Sequence, residues 1–208
     1  MLNIQPCIKG FEHIKRFADK RRHIVIAKIL PGEVYVSKNN ELISTVLGSC
    51  ISACIWDEKL GIGGMNHFML PIKRDNHGND GWQLDVSYTC RYGHWAMEFL
   101  INEITKNGGH RSNLVAKVFG GGKIVPKMSE VGTSNIHFVR QYLQTEEIPV
   151  IAHDVGGPWP RKIMFHPNSG VAKMKRLRSI HNDTIRQREQ IYLHDIEENE
   201  IQSDIELF

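Results

Sequence analysis

Apolar residues in the first third of the chain occur in short runs separated by glycine, proline and charged residues. Runs of this kind, rich in β-branched residues, are typical of β-strands joined by turns. The runs that predict strands are HIVIAKI (23–29), EVYVS (33–37), ELISTVL (41–47), SCISACIW (49–56) and GGMNHFML (63–70). Gly48 lies between two of these runs and marks a bend, a bulge or a strand-to-helix elbow.

Two later segments show the periodicity of amphipathic helices. Residues 88–109 predict a helix with a glycine-rich end. Its aromatic stripe, which we expect to be buried in the core, consists of Tyr88, Tyr92, Trp95 and Phe99. Residues 134–147 predict a second helix that is capped by Ser134 or Asn135.

The remaining pattern completes a layered fold. Further strands are predicted at 113–122, 148–157, 161–167 and 170–177. The polar loop 72–87 is longer than most connections and predicts a lid or a binding loop. This order of elements predicts an α/β (α+β) fold, a single-domain sandwich of mostly antiparallel or mixed sheets with two main helices.

Both ends of the chain differ from the middle in charge. Residues 1–22 carry six Lys or Arg residues against two acids, and residues 182–208 carry eight acids against two Arg residues. In the basic end, Phe11, Ile14 and Phe17 follow helical spacing, which predicts an appended helix or a mobile arm. The predicted division is therefore a basic arm (1–23), a central domain (24–180) and a partly helical acidic tail (181–208).

Composition and charge exclude several classes of protein. The 208 residues are 41% hydrophobic and 24% charged, as in ordinary globular proteins, and a formal net charge of +3 does not argue for nucleic acid. The chain has no long apolar run and no secretory signal, so we expect no membrane insertion and a cytoplasmic location. In that compartment the four cysteines are expected to be free thiols.

Cys50 and His67 are reactive groups within an apolar stretch. Cys50 follows Gly48 and Ser49, small residues beside which backbone N–H groups would stabilise a thiolate and an oxyanion, more so if the corner opens a helix. A turn between two strands would bring His67 back beside Cys50, where each group would activate the other. The opposing interpretation is a small buried cysteine and a core histidine bonded to a carbonyl.

A third side chain commonly orients a catalytic histidine. Ser44 and Thr45 lie on the incoming strand, and only one of them can face the site because side chains alternate along a strand. Asp57 and Asn66 are weaker candidates for this role.

Other kinds of site fit the sequence less well. A zinc site would use Cys50 and Cys54 with His67 or His94, but no second close pair of Cys or His residues follows. The run VFGGGKIVP (118–126) fails the spacing of a phosphate-binding loop, so we expect its glycines to permit close backbone packing. Arg161 fits a cleft and a plain surface equally well.

Several motifs follow one another in an order that is more specific than any one of them. They are LGSC (47–50), GGMNHFMLP (63–71), AKVFGGGKI (116–124), VGTSNIHFVRQYL (131–143) and IPVIAHDVGGPWPRKIMFHPNSGVAKMKR (148–176). Together they resemble the CheD family of chemoreceptor glutamine deamidases over roughly residues 24–177. The two charged ends lie outside the resemblance.

The resemblance implies roles for individual residues. Cys50 is the implied nucleophile and His67 the implied base, with the backbone at Gly48 and Ser49 holding the oxyanion. The third catalytic residue of the family, a Thr six positions before the cysteine, corresponds to Ser44 here, which keeps the hydroxyl and loses the methyl group. In this register Thr45 is not the orienting residue.

The implied activity is that of a cysteine amidohydrolase that converts particular glutamines of methyl-accepting chemotaxis receptors to glutamate. The implied fold is an α/β sandwich related to a deamidating bacterial toxin domain, and no metal or organic cofactor is required. Hydrolysis of receptor methyl esters and binding of a CheC-type phosphatase are further implications. The alternatives are a catalytically idle adaptor that binds receptors or the phosphatase, and a cysteine peptidase.

Overall fold

The computed structural model describes residues 3–70, 73–74, 82–83, 86–124, 129–177 and 182–198. Within these residues the chain forms twelve β-strands and three α-helices. The strands are β1 (Lys15–Asp19), β2 (Ile24–Lys28), β3 (Val34–Ser37), β4 (Glu41–Leu47), β5 (Ile51–Asp57), β6 (Ile62–Asn66), β7 (Lys73–Arg74), β8 (Trp82–Gln83), β9 (Leu114–Gly120), β10 (Val150–Val155), β11 (Arg161–His166) and β12 (Val171–Arg176). The helices are α1 (Val86–Lys106), α2 (Ser129–Thr145) and α3 (Asn182–Glu198).

Two five-stranded sheets form the centre of the fold. The first has the order β1-β2-β4-β11-β12 and the second the order β10-β9-β5-β6-β3. The pairs β2–β4 and β9–β10 are parallel, whereas the other neighbours are antiparallel. Trp56 on β5 packs against Phe165 on β11, so the sheets face each other. The predicted α/β sandwich of mixed sheets is confirmed.

The two main helices cover the second sheet. Helix α1 packs on β3, β5 and β6, and α2 packs on β5 and β9. Strand β5 is therefore covered on both faces, by the helices and by the first sheet, which explains why it appears in the sequence as a nearly continuous apolar run. The strands predicted between residues 23 and 70 are confirmed.

The basic start of the chain is not an appended helix or arm. Its residues form β1, which pairs antiparallel with β2 at the edge of the first sheet. Phe11 and Ile14 are buried in the main core, while Phe17 is exposed. The helical spacing was misleading because two of these three residues precede the strand and reach the core from a loop.

Helix α1 confirms the predicted amphipathic helix, but the aromatic stripe is only partly buried. Tyr92 is buried, whereas Trp95 is 48% exposed and stacks on Phe99 along the helix surface. The stripe is wider than the contact with the sheet, so its outer part remains in solvent. The side chain of Tyr88 lies outside the described side chains.

Helix α2 begins at Ser129, one and a half turns before the predicted start. Ser134 and Asn135 therefore lie inside the helix and do not cap it. Asn135 is fully buried, and its amide points toward the second sheet. The prediction of an N-cap was wrong because a polar residue within a helix and one at its start look alike in sequence.

The acidic tail forms helix α3, as far as Glu198. Ile185 and Tyr192 pack partly buried against the core, and Glu189 is buried at 3% exposure. This part of the tail is therefore not a solvated segment. Most of the predicted 72–87 lid lies outside the described residues. Among the residues that the structure describes, no helix is long and apolar enough to span a membrane.

Candidate active site

Residues 48–50 carry the chain from β4 in the first sheet to β5 in the second. Cys50 lies directly before β5. The corner at residues 48–50 therefore opens a strand, and the alternative that it opens a helix was wrong. The backbone N–H groups of Gly121 and Gly122 donate to the carbonyls of Cys50 and Gly48, both at 2.7 Å. These bonds fix the orientation of the peptide groups around the thiol.

The middle carbonyl of this turn is held by a helix. The Nδ2 group of Asn135 on α2 donates to the carbonyl of Ser49 at 2.8 Å, and its Oδ1 accepts the backbone N–H of Leu70 at 2.8 Å. Asn135 thus links the turn to the chain that follows β6. Sequence reasoning missed this role, because nothing in the helical pattern distinguishes a buried amide that bonds backbone from a helix cap.

The glycines after β9 make this arrangement possible. Gly120 has φ +118°, and a Cβ there would lie 2.2 Å from the carbonyl oxygen of Cys50. A Cβ on Gly122 would lie 2.9 Å from the carbonyl oxygen of Gly48. The expectation that these glycines permit close backbone packing is confirmed, and they pack against the turn that carries Cys50.

The backbone N–H groups of Gly48, Ser49 and Cys50 point to a common location. That location is occupied by the carboxylate of Glu189 on α3. Its Oε1 accepts the N–H groups of Gly48 (2.9 Å) and Cys50 (3.1 Å). Its Oε2 accepts the N–H (3.0 Å) and the hydroxyl (2.5 Å) of Ser49. Residues 48–50 therefore form an anion-binding pocket.

His67 follows β6, the antiparallel neighbour of β5. Ile51 pairs with Phe68, with backbone bonds of 2.8 and 3.0 Å in the two directions. Cys50 and His67 each precede one member of this pair, so side-chain alternation puts them on the same face as diagonal neighbours. Such neighbours lie about 7–8 Å apart at Cα, within reach of side chains. The predicted return of the histidine beside the cysteine agrees with this register.

Thr45 fixes the tautomer of His67. The Thr45 hydroxyl donates to the carbonyl of Ile29 (2.9 Å) and lies 2.8 Å from His67 Nδ1. Because its only proton goes to Ile29, the hydroxyl acts as acceptor and Nδ1 carries a proton. Nε2 is then the unprotonated nitrogen, and it is buried without a hydrogen bond. This is the form of the ring that can take a proton from a thiol.

Ser44 does not orient the imidazole, which corrects the sequence prediction. Its hydroxyl donates to the carbonyl of Ile163 on β11 at 2.9 Å. Ser44 and Thr45 point to opposite faces of β4, as alternation requires, and Thr45 is the one on the side of His67. The register taken from the family resemblance was one residue out, although the sequence pattern correctly limited the choice to these two.

Burial dominates the electrostatics of the pair. It lowers the pKa of His67 to about 3, so the ring is neutral. Burial, followed by the charge of Glu189 and a hydrogen bond to it, raises the pKa of the Cys50 thiol well above its usual value. Both burial and the Glu189 carboxylate therefore favour the protonated thiol in this arrangement.

Comparison with known proteins shows which family the chain belongs to. Residues 69–176, just over half of it, match the family model described as CheD chemotactic sensory transduction. The chain belongs to the CheD family. A relative in Halorhodospira halophila, 45% identical over 208 residues, is covered by the match to 95% of its length, and all of this chain is included. One in Hahella chejuensis is 48% identical, with 95% of this chain and 92% of the relative covered. Both are named probable chemoreceptor glutamine deamidase CheD.

The family match begins after the candidate site, at residue 69. Cys50 and His67 therefore lie in the part of this CheD chain that only the longer matches to relatives include. The CheD region itself supplies the glycines after β9 and Asn135, which hold the turn.

Arg161 connects this site to the loops around it and is not a surface residue. It is buried, donates to the carbonyl of Gly120 at 2.9 Å, and also bonds the carbonyls of Asp154 and Gly156. Its carboxylate partner is Asp154, at 3.2 Å. Arg161 thereby fixes the end of β9, next to the glycines that hold Cys50.

The weaker candidates have structural roles elsewhere. Asp57 accepts the N–H groups of Lys59 and Leu60 in the turn after β5. The Oδ1 of Asn66 accepts the N–H of Ala53, and its Nδ2 donates toward α1. Neither residue hydrogen-bonds His67.

The zinc set considered from sequence is not brought together. His94 on α1 packs against the rings of Phe138 and Tyr142 on α2. In the part of the chain that the structure describes, no group of three or more His, Cys, Asp or Glu side chains could hold a metal ion.

Proposed function

We propose that this CheD-family chain hydrolyses the side-chain amides of glutamines in chemotaxis receptors through a thioester at Cys50. The observation that carries the proposal is the convergence of three backbone N–H groups beside a cysteine, on the same strand face as a histidine with a free Nε2. The relatives named as probable chemoreceptor glutamine deamidases support glutamine as the substrate group.

In the first step, Nε2 of His67 takes the proton of Cys50 and the thiolate attacks the amide carbon. The carbonyl oxygen of the substrate becomes an oxyanion in the pocket of residues 48–50. Two of the donors, the N–H groups of Ser49 and Cys50, belong to peptides whose carbonyls are held by Gly122 and Asn135. Donors that are fixed in advance need no reorganisation at this moment, which is where electrostatic catalysis gains most.

In the second step, the protonated His67 gives its proton to the amide nitrogen and ammonia leaves. The thioester at Cys50 is then attacked by a water molecule whose proton goes to His67. The products are the glutamate side chain and the free thiol. Thr45 acts throughout as a positioning residue, because it keeps the proton on Nδ1 and leaves Nε2 for the exchange.

Two finer activities remain part of the proposal. A methyl ester of glutamate has the same carbonyl in the same position, so the same steps would release methanol in place of ammonia. The family resemblance further implies that a CheC-type phosphatase binds this chain. Cytoplasmic receptor helices are the proposed substrates of both hydrolytic reactions.

The test uses a purified receptor cytoplasmic fragment and maps its glutamines by mass spectrometry after incubation. The wild-type chain should convert specific glutamines to glutamate, whereas Cys50→Ala and His67→Ala should leave them unchanged. Cys54→Ala is the matched control, because it removes a second fully buried thiol, on β5, that takes no part in the proposed chemistry. Cys50→Ala should fold normally, since alanine fits the turn.

The outcomes separate the candidate functions. Unchanged glutamines together with intact receptor binding would indicate the idle adaptor. Peptide fragments of the receptor would indicate a peptidase. Deamidation by Cys50→Ala at the wild-type rate would remove the thiol from the reaction.

A further inference from the structure

Glu189 has no part in the proposed reaction, although it fills the site where the reaction would occur. Its carboxylate takes up four hydrogen bonds from residues 48–50, the donors that the oxyanion would need. It comes from α3, more than 130 residues away along the chain. The chain thus fills its own proposed oxyanion site with one of its own carboxylates.

We propose that α3 is a built-in competitor of the substrate, in which Glu189 occupies the place of the glutamate product and keeps the site closed until a receptor helix displaces α3. The role of residues 48–50 as an oxyanion site rests on the proposed function. The presence of Glu189 in this pocket does not depend on that function and can be tested separately.

The chemistry of the occupant matches that of the product. Deamidation of glutamine leaves a γ-carboxylate on a side chain of the same length as Glu189. Both oxygens of Glu189 are bound, one by Gly48 and Cys50 and the other by Ser49. Because Glu189 lies within a helix, the pocket accepts this side chain when it is presented by a helix, and a helical substrate would be presented in the same way.

The docked helix also blocks the reactive groups. Cys50 is 0% exposed, and His67 is buried with it. The Glu189 carboxylate accepts the backbone N–H of Cys50 itself, and Nε2 of His67 makes no hydrogen bond. A carboxylate this close to the thiol opposes the formation of a thiolate, because two negative charges would lie side by side. An amide substrate and Glu189 cannot occupy the pocket together.

Among the side chains of α3 that the structure describes, the inward contacts come from Ile185, Glu189 and Tyr192. Tyr192 lies over Gly32, where an added Cβ would be 3.1 Å from its ring, and its hydroxyl bonds that of Tyr92. Arg188, Gln190 and Ile191 are exposed. A cleft of about 510 Å³ lined by Leu30, Pro31, Ile191 and Tyr192, among others, remains between the helix and the β2–β3 turn. Because α3 belongs to neither sheet, its departure would break no strand pairing.

A different explanation is that Glu189 is a permanent structural brace of the turn. In that case its removal would lower stability and leave the thiol no more reactive than before. Under the proposal its removal frees the site. The two explanations predict opposite changes in the reactivity of Cys50, which makes them separable.

The first experiment measures alkylation of Cys50 by iodoacetamide in the full chain, followed by peptide mass spectrometry to resolve the cysteines. Glu189→Ala should be alkylated at least about tenfold faster than the wild type, because the charged acceptor of several hydrogen bonds is gone. Gln190→Ala, on the exposed side of the same helix, is the matched control and should react at the wild-type rate. Equal rates for Glu189→Ala and the wild type would overturn the proposal.

The second experiment uses Glu189→Gln, which places an amide in the pocket. The Cys50 thiolate would attack this amide, ammonia would leave with a proton from His67, and water would hydrolyse the thioester to regenerate the thiol and glutamate. Residue 189 of the purified variant should therefore be found as glutamate, and it should remain glutamine when Cys50→Ala is combined with it.

The outcomes distinguish this inference from the function on which it rests. A chain that deamidates the receptor fragment but keeps glutamine at position 189 in the Glu189→Gln variant contradicts the placement of this side chain in the product position. A chain that never deamidates the receptor contradicts the proposed function, and the alkylation rates still decide whether α3 closes the site. Higher receptor deamidation by Glu189→Ala than by the wild type supports both.

Discussion

The hydroxyl of Thr45 is the smallest group on which the proposed catalytic state of His67 depends, and Thr45→Val removes it with almost no change of shape. Two buried partners then lose their hydrogen bond, the carbonyl of Ile29 and Nδ1 of His67. Each such loss costs about 1–3 kcal/mol in free energy of unfolding. The variant should therefore fold, with a measurably lower stability.

The effect on turnover follows from the tautomer. Without an acceptor at Nδ1, the ring can place its proton on Nε2, where it cannot accept the thiol proton. If the productive form becomes less favourable by about 1.4–2 kcal/mol, kcat falls about 10- to 30-fold. KM should change little, because Thr45 is buried at 2% exposure and is proposed to act on the reaction only through His67.

The assay is initial-rate release of ammonia from the receptor fragment, with urea unfolding of each variant in parallel. Thr45→Ser keeps the hydroxyl and should restore kcat to within about threefold of the wild type, a difference of under 1 kcal/mol. Ser44→Ala is the matched control: it loses its bond to Ile163, about 1 kcal/mol of stability, and no turnover. Full activity of Thr45→Val, or a loss of kcat in Ser44→Ala alone, would refute this account of the site.

Three further predictions follow from the same contacts. Because the pKa of His67 is about 3 in the fold and 6.5 when unfolded, the unfolded chain binds one more proton in that window. The free energy of unfolding should therefore fall as pH is lowered from 6.5 toward 3, by up to about 1.4 kcal/mol per pH unit. Urea unfolding at several pH values should show a weaker dependence of this free energy on pH for His67→Gln than for the wild type. Gly122→Ala must push the carbonyl of Gly48 aside, and kcat for deamidation should fall about 100-fold as the oxyanion donors shift, while an unchanged kcat would exclude them. Arg161→Met leaves several buried carbonyls unpaired and should lower the unfolding free energy by about 3 kcal/mol or more, which thermal unfolding would contradict if the midpoint stayed constant.

Much of the architecture could be predicted because hydrophobic periodicity depends on local geometry. The runs that became β4 and β5 were bounded by turn residues and long enough to define strands. The return of His67 beside Cys50 was predictable for the same reason, since one tight turn between two strands leaves few pairings. Helical spacing misled at Phe11 and Ile14, where the spacing arose from a loop that dips into the core.

The parts of the site that sequence could not provide are contacts between distant segments. The alternation rule showed that one of Ser44 and Thr45 faces the site, but which one depends on how β4 pairs with β11. Asn135 joins two segments far from it along the chain, and no periodic signal marks such a bond. In the sequence Glu189 does not differ from the other acids of the charged tail. It is distinguished only by its contact with residues 48–50, which are far from it along the chain.

Asn135 has a consequence for how the protein loses activity on heating. Its amide holds Ser49 at one end and Leu70 at the other, and it extends from a helix whose other contacts are with the second sheet and α1. Detachment of α2 would thus release the middle peptide of the turn even while both sheets stayed paired. The temperature at which hydrolysis disappears should therefore mark the melting of this helix, and it should precede the loss of strand structure seen by circular dichroism.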